Sequence, residues 1–226
     1  MTSASSTAAR TDTLGEPVSR RERRKDDRPG ELVNAALDVF AERGFAGARL
    51  EDIARRAGVT KGTVYLYFAS KEELFEAVVR QTLITSIERA QATLRDFQGP
   101  TPELLRIVLT GWWHRVVRTK AAALVKLICA EASNFPAVAQ FYYDNVIEPG
   151  RRLQSRIIER GIARGEFRAV NVEHTVTAVV AAFLYVQVHQ WSFAKVIPAT
   201  SIEGDEFLES FIDFVLGSLV IPEDRR

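Results

Sequence analysis

The sequence predicts an all-α protein with an N-terminal helix-turn-helix domain and a C-terminal helical domain, and three observations carry that prediction. Nearly every segment from Pro29 to about Ser218 spaces its apolar residues at helical period. Proline or glycine separates one such segment from the next. No stretch alternates apolar and polar residues long enough to make a strand, and no hairpin dipeptide joins β-branched runs. The 226 residues, 46% hydrophobic and 26% charged, suit one large or two small globular domains. A single cysteine excludes a disulfide framework and paired-cysteine zinc sites. No apolar run is read as reaching the roughly 18 residues that span a membrane, and the N-terminus lacks the apolar core of a secretory signal. A cytoplasmic protein with no membrane partner is expected. Thirty basic against 29 acidic side chains leave a net charge of +1, so bulk charge alone indicates no partner.

Residues 1–28 read as a disordered arm. The first nineteen are poor in large apolar side chains and cannot offset the entropy of ordering. RRERRKDDR, residues 20–28, is either a solvated tail or a basic arm laid along a polyanion. The domain over 29–75 follows. Pro29 suits a first helical turn, where its missing N–H goes unneeded. Val33, Ala36, Leu37, Phe40 and Ala41 then share a face, and Gly44 ends the helix. A second helix spans about Arg49 to Ala57, closed by Gly58. Thr60 caps a third helix, in which Val64 and Phe68 form an i, i+4 apolar pair. Ser70 caps a fourth, SKEELFEAVV, with Glu73 completing a capping box.

Three short helices with a tight Gly58-Val59 turn between the last two have helix-turn-helix proportions. From Ile53 to Lys71 the charged residues are Arg55, Arg56, Lys61 and Lys71, a local +4 with no acid among them. Such a patch fits DNA phosphates. Gly62 lets the third helix's backbone come close to a ligand, and the helix N-terminus offers N–H groups and a positive dipole. Thr63 and Tyr67 share the face opposite Val64 and Phe68, where hydroxyls meet phosphate oxygens and base edges.

LEDIARRAGVTKGTVYLYFASKEELF, residues 50–75, resembles the signature of the TetR family of bacterial transcriptional regulators, and VNAALDVFAERGFAG before it resembles that family's first helix. The resemblance implies that Thr60, Lys61, Gly62 and Thr63 open a recognition helix toward the major groove of a double-stranded DNA operator. It further implies that Tyr65 and Tyr67 contact phosphates or base edges and that Lys71 holds a phosphate. The family usually starts its second helix with Thr or Ser that touches a phosphate. Here Ala48-Arg49-Leu50 carries no hydroxyl, and Arg49 is the candidate for that contact.

Gly99-Pro100-Thr101-Pro102 is the clearest break in the chain. Beyond it helices are expected at about 102–118, 120–132, 136–163, 172–194 and 204–219, with Pro149-Gly150 kinking or splitting the third. The resemblance implies that residues 76–221 form a helical domain for ligand sensing and dimerisation. HTVTAVVAAFLYVQV at 174–188 and FLESFIDFVLGSLV at 207–220 are apolar on more than one face, and so need a partner beyond their own core. A homodimer through these last two helices is expected. Residues 124–168 resemble more loosely the C-terminal domain of the AefR-like subgroup, which implies no specific ligand.

A pocket for an unidentified small effector is expected among Trp112, Trp113, His114, Phe135, Phe141, Tyr142, Tyr143, His189 and Trp191, though any of these aromatics could simply be packing. Cys129 lies in an apolar run and reads as an inert buried thiol. The three histidines lack metal-ligand spacing, and no cofactor motif is found. An enzyme with a DNA-binding appendage is the second reading, but HExxH, a Gly-rich phosphate loop and a strand–turn–helix nucleophile are all missing. A sequence-independent architectural DNA binder is the third, favoured only by residues 20–28. The reading preferred is a ligand-responsive regulator, a repressor released from a pseudo-palindromic operator.

Overall fold

The computed structural model describes residues 20–193, 196, 202 and 204–221, with side chains from Asp27 onward. They form eleven α-helices and, among the described residues, no β-strand, only an isolated bridge between Phe167 and Val220. Helix α1 (Arg20–Gly47) begins well ahead of Pro29. Residues 20–28, expected as part of a disordered arm, are therefore helical, and Pro29 lies inside the helix rather than at its first turn. Residues 1–19 lie outside the described residues. As the sequence suggests, α1 loses helical geometry at Gly44, whose φ is 72°.

Helices α2 (Leu50–Arg56), α3 (Lys61–Tyr65) and α4 (Lys71–Val79) complete the N-terminal unit, and their ends are set locally. Gly58, at φ +67°, closes α2 with two back-bonds, Gly58 N to Arg55 O at 3.2 Å and Val59 N to Ala54 O at 2.9 Å. A side chain at this left-handed position would be strained. Thr60 Oγ1 accepts from Thr63 N and Ser70 Oγ accepts from Glu73 N. Glu73 reaches back to the amide of Ala69 rather than that of Ser70, at 2.6 Å.

The rest of the chain is α5 (Thr85–Asp96), α6 (Thr101–Trp112), α7 (Ala122–Glu131), α8 (Pro136–Tyr142), α9 (Glu148–Ala163), α10 (Val172–Val188) and α11 (Asp205–Leu219). Four π-helical turns extend or join these helices, at Arg80–Ile84, Trp113–Val117, Tyr143–Ile147 and His189–Phe193. The break expected at Pro149-Gly150 thus occurs one turn earlier, in the Tyr143–Ile147 π turn, and Pro149 sits in the first turn of α9. With its π turn α10 runs unbroken from Val172 to Phe193, long and apolar enough by composition to cross a membrane, which the sequence reading had not found. Its inner face packs on α7 and α9.

The two hydrophobic cores do not divide at residue 75. The first joins α1–α4 to α7 and α8 through Phe40, Phe45, Phe75, Leu124, Leu127 and Val138. The second gathers α5, α6, α9, α10 and α11 around Trp113, Ile157, Phe183 and Ile212. Phe45 bridges the units directly, its ring centroid 4.8 Å from that of Phe135.

Glu166 holds the C-terminal core at its edge. Its Oε2 accepts from the amide of the fully buried Thr101 at 2.9 Å, and its Oε1 accepts from Arg164 Nε at 2.9 Å. Burial pushes its carboxyl upward, but the bonds from Thr101 and Arg164 outweigh it and hold the pKa below the usual value. A depressed carboxylate contributes stability that is present above the unfolded pKa and is lost as the pH falls through the folded one. Glu166→Ala leaves a buried N–H unpaired and is expected to cost about 1–3 kcal/mol in urea unfolding at pH 7. The gap between the variant and the parent should narrow as the pH drops below 4.

Candidate nucleic-acid interface and apolar cavity

Helix α3 stands out from the N-terminal unit on the buried side chain of Val64, with Phe68 just beyond it. What it shows to solvent is its N-terminal end: Thr60, Lys61 and Gly62 are exposed, Thr63 is half-buried, and Thr60 and Thr63 share a hydroxyl–hydroxyl bond of 2.9 Å. A Cβ built on Gly62 would meet only Thr60 Oγ1, at 3.8 Å. Packing therefore does not require glycine here. Tyr65 is 49% exposed. Tyr67 lies past the end of α3 and is half-buried against the first core, so it presents less surface than its spacing from Thr63 implies. Leu66, 80% exposed, was missed. Its signal was available, since helical spacing places it off the Val64–Phe68 face.

The local charge of +4 does not survive folding, because acids from α1 and the first turns of α2 come alongside. Arg55 pairs with Asp52 at 3.0 Å, Arg56 with Glu42 at 2.6 Å and Asp38 at 3.3 Å, and Lys61 with Glu51. The Arg56 bond holds Glu42 below its usual pKa, and the Lys61 bond does the same for Glu51. Exposed pairs of this kind contribute little to stability and can be exchanged for phosphate. Lys71 is committed differently. Its Nζ donates to the carbonyls of Phe45 at 2.7 Å and Ala48 at 3.3 Å and lies 4.5 Å from the Phe45 ring centroid. Two of its three N–H groups thus tie the α1–α2 turn to α4, which leaves one for a phosphate. Arg49 is exposed at the N-cap of α2 and makes no cap bond.

In the C-terminal unit α5, α6, α7, α9 and α10 enclose a cavity of about 220 Å³. Ile87, Val108, Leu109, Ile128, Val146 and Phe183 supply apolar wall, and Ser86, Arg115, Arg151, Gln154 and Gln187 the polar points. Of the aromatics expected there, Trp112 and Tyr142 line it. Tyr142 is buried, and that burial drives its hydroxyl pKa upward. The others sit elsewhere. Trp113 is in the second core with Nε1 donating to Asp205 at 2.9 Å, and His114 is exposed. Successive helical residues point about 100° apart, so only one of these three neighbours can face the cavity. Phe135 packs on Phe45, Phe141 lies under the Arg80 guanidinium, and Tyr143 is exposed. His189 is buried between the rings of Tyr185 and Phe193. Trp191 lines a second space of about 300 Å³ between α1 and α7. Cys129, expected buried, is exposed and borders the first cavity, with partial burial pushing its thiol pKa up. Arg115 and Gln187 escaped the sequence reading because nothing local marks them; only the tertiary fold turns them toward the cavity.

Two family profiles match the chain and together cover more than half of it. Residues 32–78 match the bacterial regulatory proteins of the tetR family, and residues 98–190 match the tetracyclin repressor-like C-terminal domain. The chain belongs to the TetR family. Among curated relatives, the HTH-type transcriptional repressor KstR2 of Mycolicibacterium smegmatis is 29% identical over 158 residues, 70% of this chain and 72% of that protein. The fatty acid metabolism regulator protein of Bacillus subtilis is 25% identical over 138 residues, 61% of this chain and 70% of that protein. The structure of the transcriptional regulator FadR from Bacillus subtilis, in complex with stearoyl-CoA, aligns with a TM-score of 0.68 at 19% identity, covering 84% of this chain and 98% of FadR. That last likeness concerns the fold. This TetR-family chain is a sequence-specific DNA-binding transcriptional regulator and not an enzyme.

Proposed function

We propose that this regulator acts in the bacterial cytoplasm as a homodimer joined through α10 and α11, a repressor that a small apolar effector releases from a pseudo-palindromic operator. The observation that carries the release mechanism is the position of α7. Val125, Ile128 and Cys129 border the cavity, while Leu124 and Leu127 of the same helix belong to the core shared with α1. Further ties run from α7 and the residues before it into the N-terminal unit: Glu131 Oε1 accepts from Ala46 N at 3.4 Å, and Lys120 pairs with Asp38 at 2.5 Å. A ligand that moves α7 therefore moves α1. A hundredfold loss of operator affinity needs about 2.7 kcal/mol of difference in effector binding between the two states.

The dimer reading rests on a solvent-facing stripe. Ala178, Ala181 and Tyr185 of α10 and Phe214 and Gly217 of α11 are exposed, Tyr185 by 61% and Phe214 by 75%. Covering it with a second copy would space two recognition helices for half-sites roughly 34–36 Å apart. DNA contacts are assigned to Arg49, Thr60, Lys61, Gly62, Thr63, Tyr65 and Tyr67, with Lys71 mainly bracing the turn beneath them. Selection from sheared genomic DNA tests the reading. A few enriched fragments sharing a pseudo-palindrome are expected; uniform recovery with steep salt dependence would instead indicate the sequence-independent alternative.

A further inference from the structure

Arg115 carries a positive charge that the fold leaves without a counter-ion. Its Nε donates to Ser86 Oγ at 3.1 Å, and among the described residues no carboxylate pairs with it. Arg115 is exposed overall, and partial desolvation first, with the neighbouring Arg89 second, lowers its pKa. Gly111, one turn earlier, gives the guanidinium its room: a Cβ there would lie 2.4 Å from Nη2 and 2.9 Å from Nη1 of Arg115. Glycine within a helix is otherwise a destabilising choice. The arginine also sits in the π turn Trp113–Val117, a distortion found often at functional sites.

A second group in the wall is incomplete. Gln187 is 2% exposed, borders the cavity, and its Nε2 has no acceptor. Buried donors are normally paired, so Gln187 Nε2 is suited to donate to a ligand oxygen. Arg151, the other cation in the lining, pairs with Glu173 at 3.6 Å, so Arg115, an exposed residue whose Nε is tied to Ser86, is the lining cation open to a ligand's anion. Size limits the ligand further. At about 220 Å³ the cavity exceeds a 150 Å³ space that accepts benzene, and suits a molecule of roughly ten non-hydrogen atoms.

We propose that the cavity selects a short-chain hydrocarbon carboxylate, its carboxylate group paired with Arg115 and its chain lying on Leu109, Ile128, Val146 and Phe183. This rests on the reading of the cavity as the effector site. Gly111 is a positioning residue: it sets where the guanidinium lies and does not touch the ligand.

The test is calorimetric titration of the full-length protein with octanoate, 1-octanol, octylammonium and octanoyl-coenzyme A. Octanoate is expected to bind at least tenfold more tightly than octanol, and octylammonium not to bind. Arg115→Gln should bring octanoate down to the level of octanol while leaving octanol unchanged. Gly111→Ala keeps the charge but displaces the guanidinium, and should reduce octanoate binding without lowering the melting temperature. Octanol binding as tightly as octanoate to the parent protein overturns the carboxylate assignment and leaves the effector cavity standing. Octanoyl-coenzyme A binding more tightly than octanoate, with that advantage intact in Arg115→Gln, also overturns it. Failure of all four probes to bind removes the cavity reading itself.

Discussion

Replacing Phe214 by glutamate will turn the protein into a monomer and weaken operator binding by about a hundredfold or more. Phe214 is 75% exposed on α11, one turn before the exposed Gly217, and Tyr185 of α10 is 61% exposed. In a twofold interface each copy contributes it once, so the substitution introduces two carboxylates into a surface that would be dry. Each must lose most of its hydration, and the Arg106 guanidinium beside the neighbouring Asp213 is already paired with Glu209 and Asp213. Once the two copies separate, the second recognition helix no longer benefits from the high local concentration that linkage provides, commonly worth 10²–10⁴ in avidity. Light scattering reads the mass and a mobility-shift titration reads the affinity. Phe214→Leu, which keeps the surface apolar, should remain dimeric and bind as the parent does. A dimer that persists in Phe214→Glu would place the interface elsewhere.

Substitutions at Gly62 will move stability and DNA binding in opposite directions. Gly62 is exposed, its φ is not in the left-handed region, and a methyl group placed on it meets nothing closer than 3.8 Å. Gly62→Ala should therefore raise stability by about 0.5–1 kcal/mol, the usual gain from replacing a helical glycine. If α3 enters the major groove by its N-terminal turn, the same methyl stands where the DNA must come, and operator affinity should fall by about tenfold. Gly62→Leu should abolish measurable binding while circular dichroism and melting remain those of a folded protein. Normal operator binding by Gly62→Leu would mean that another edge of the domain meets the DNA. The pair separates an interface role from a folding role because the fold makes no demand on this position.

How far each feature was legible in the sequence follows from how far apart its parts lie in the chain. Thr60, Ser70 and Gly58 could be read as caps because each acts on amides or carbonyls three or four residues away. The cation patch could not. Arg56 and Lys61 look unopposed in their own window, yet their partners Asp38, Glu42 and Glu51 lie up to 18 residues back and arrive only when α1, α2 and α3 pack, whereas Arg55 meets Asp52 locally, three residues earlier on α2. Lys71 looked like a phosphate ligand until α1 brought the carbonyls of Phe45 and Ala48 beneath it, 26 and 23 residues away in sequence. Among the aromatics the sequence offered candidates but no direction. Trp112 faces the cavity and Trp113 the core because neighbouring helical residues point about 100° apart, and only the packing around them settles which faces which way.

By itself the sequence determined the all-helical class, the helix-turn-helix spelled by residues 50–75, and the family, since all three depend on periodicity, capping and short spacings. The tertiary structure alone decided where charge is cancelled, which polar groups border the cavity, and that one core runs from α1 into α7. Those are contacts between segments tens of residues apart. Packing creates them, and a local reading of the chain has no signal for which of many exposed or buried side chains will meet.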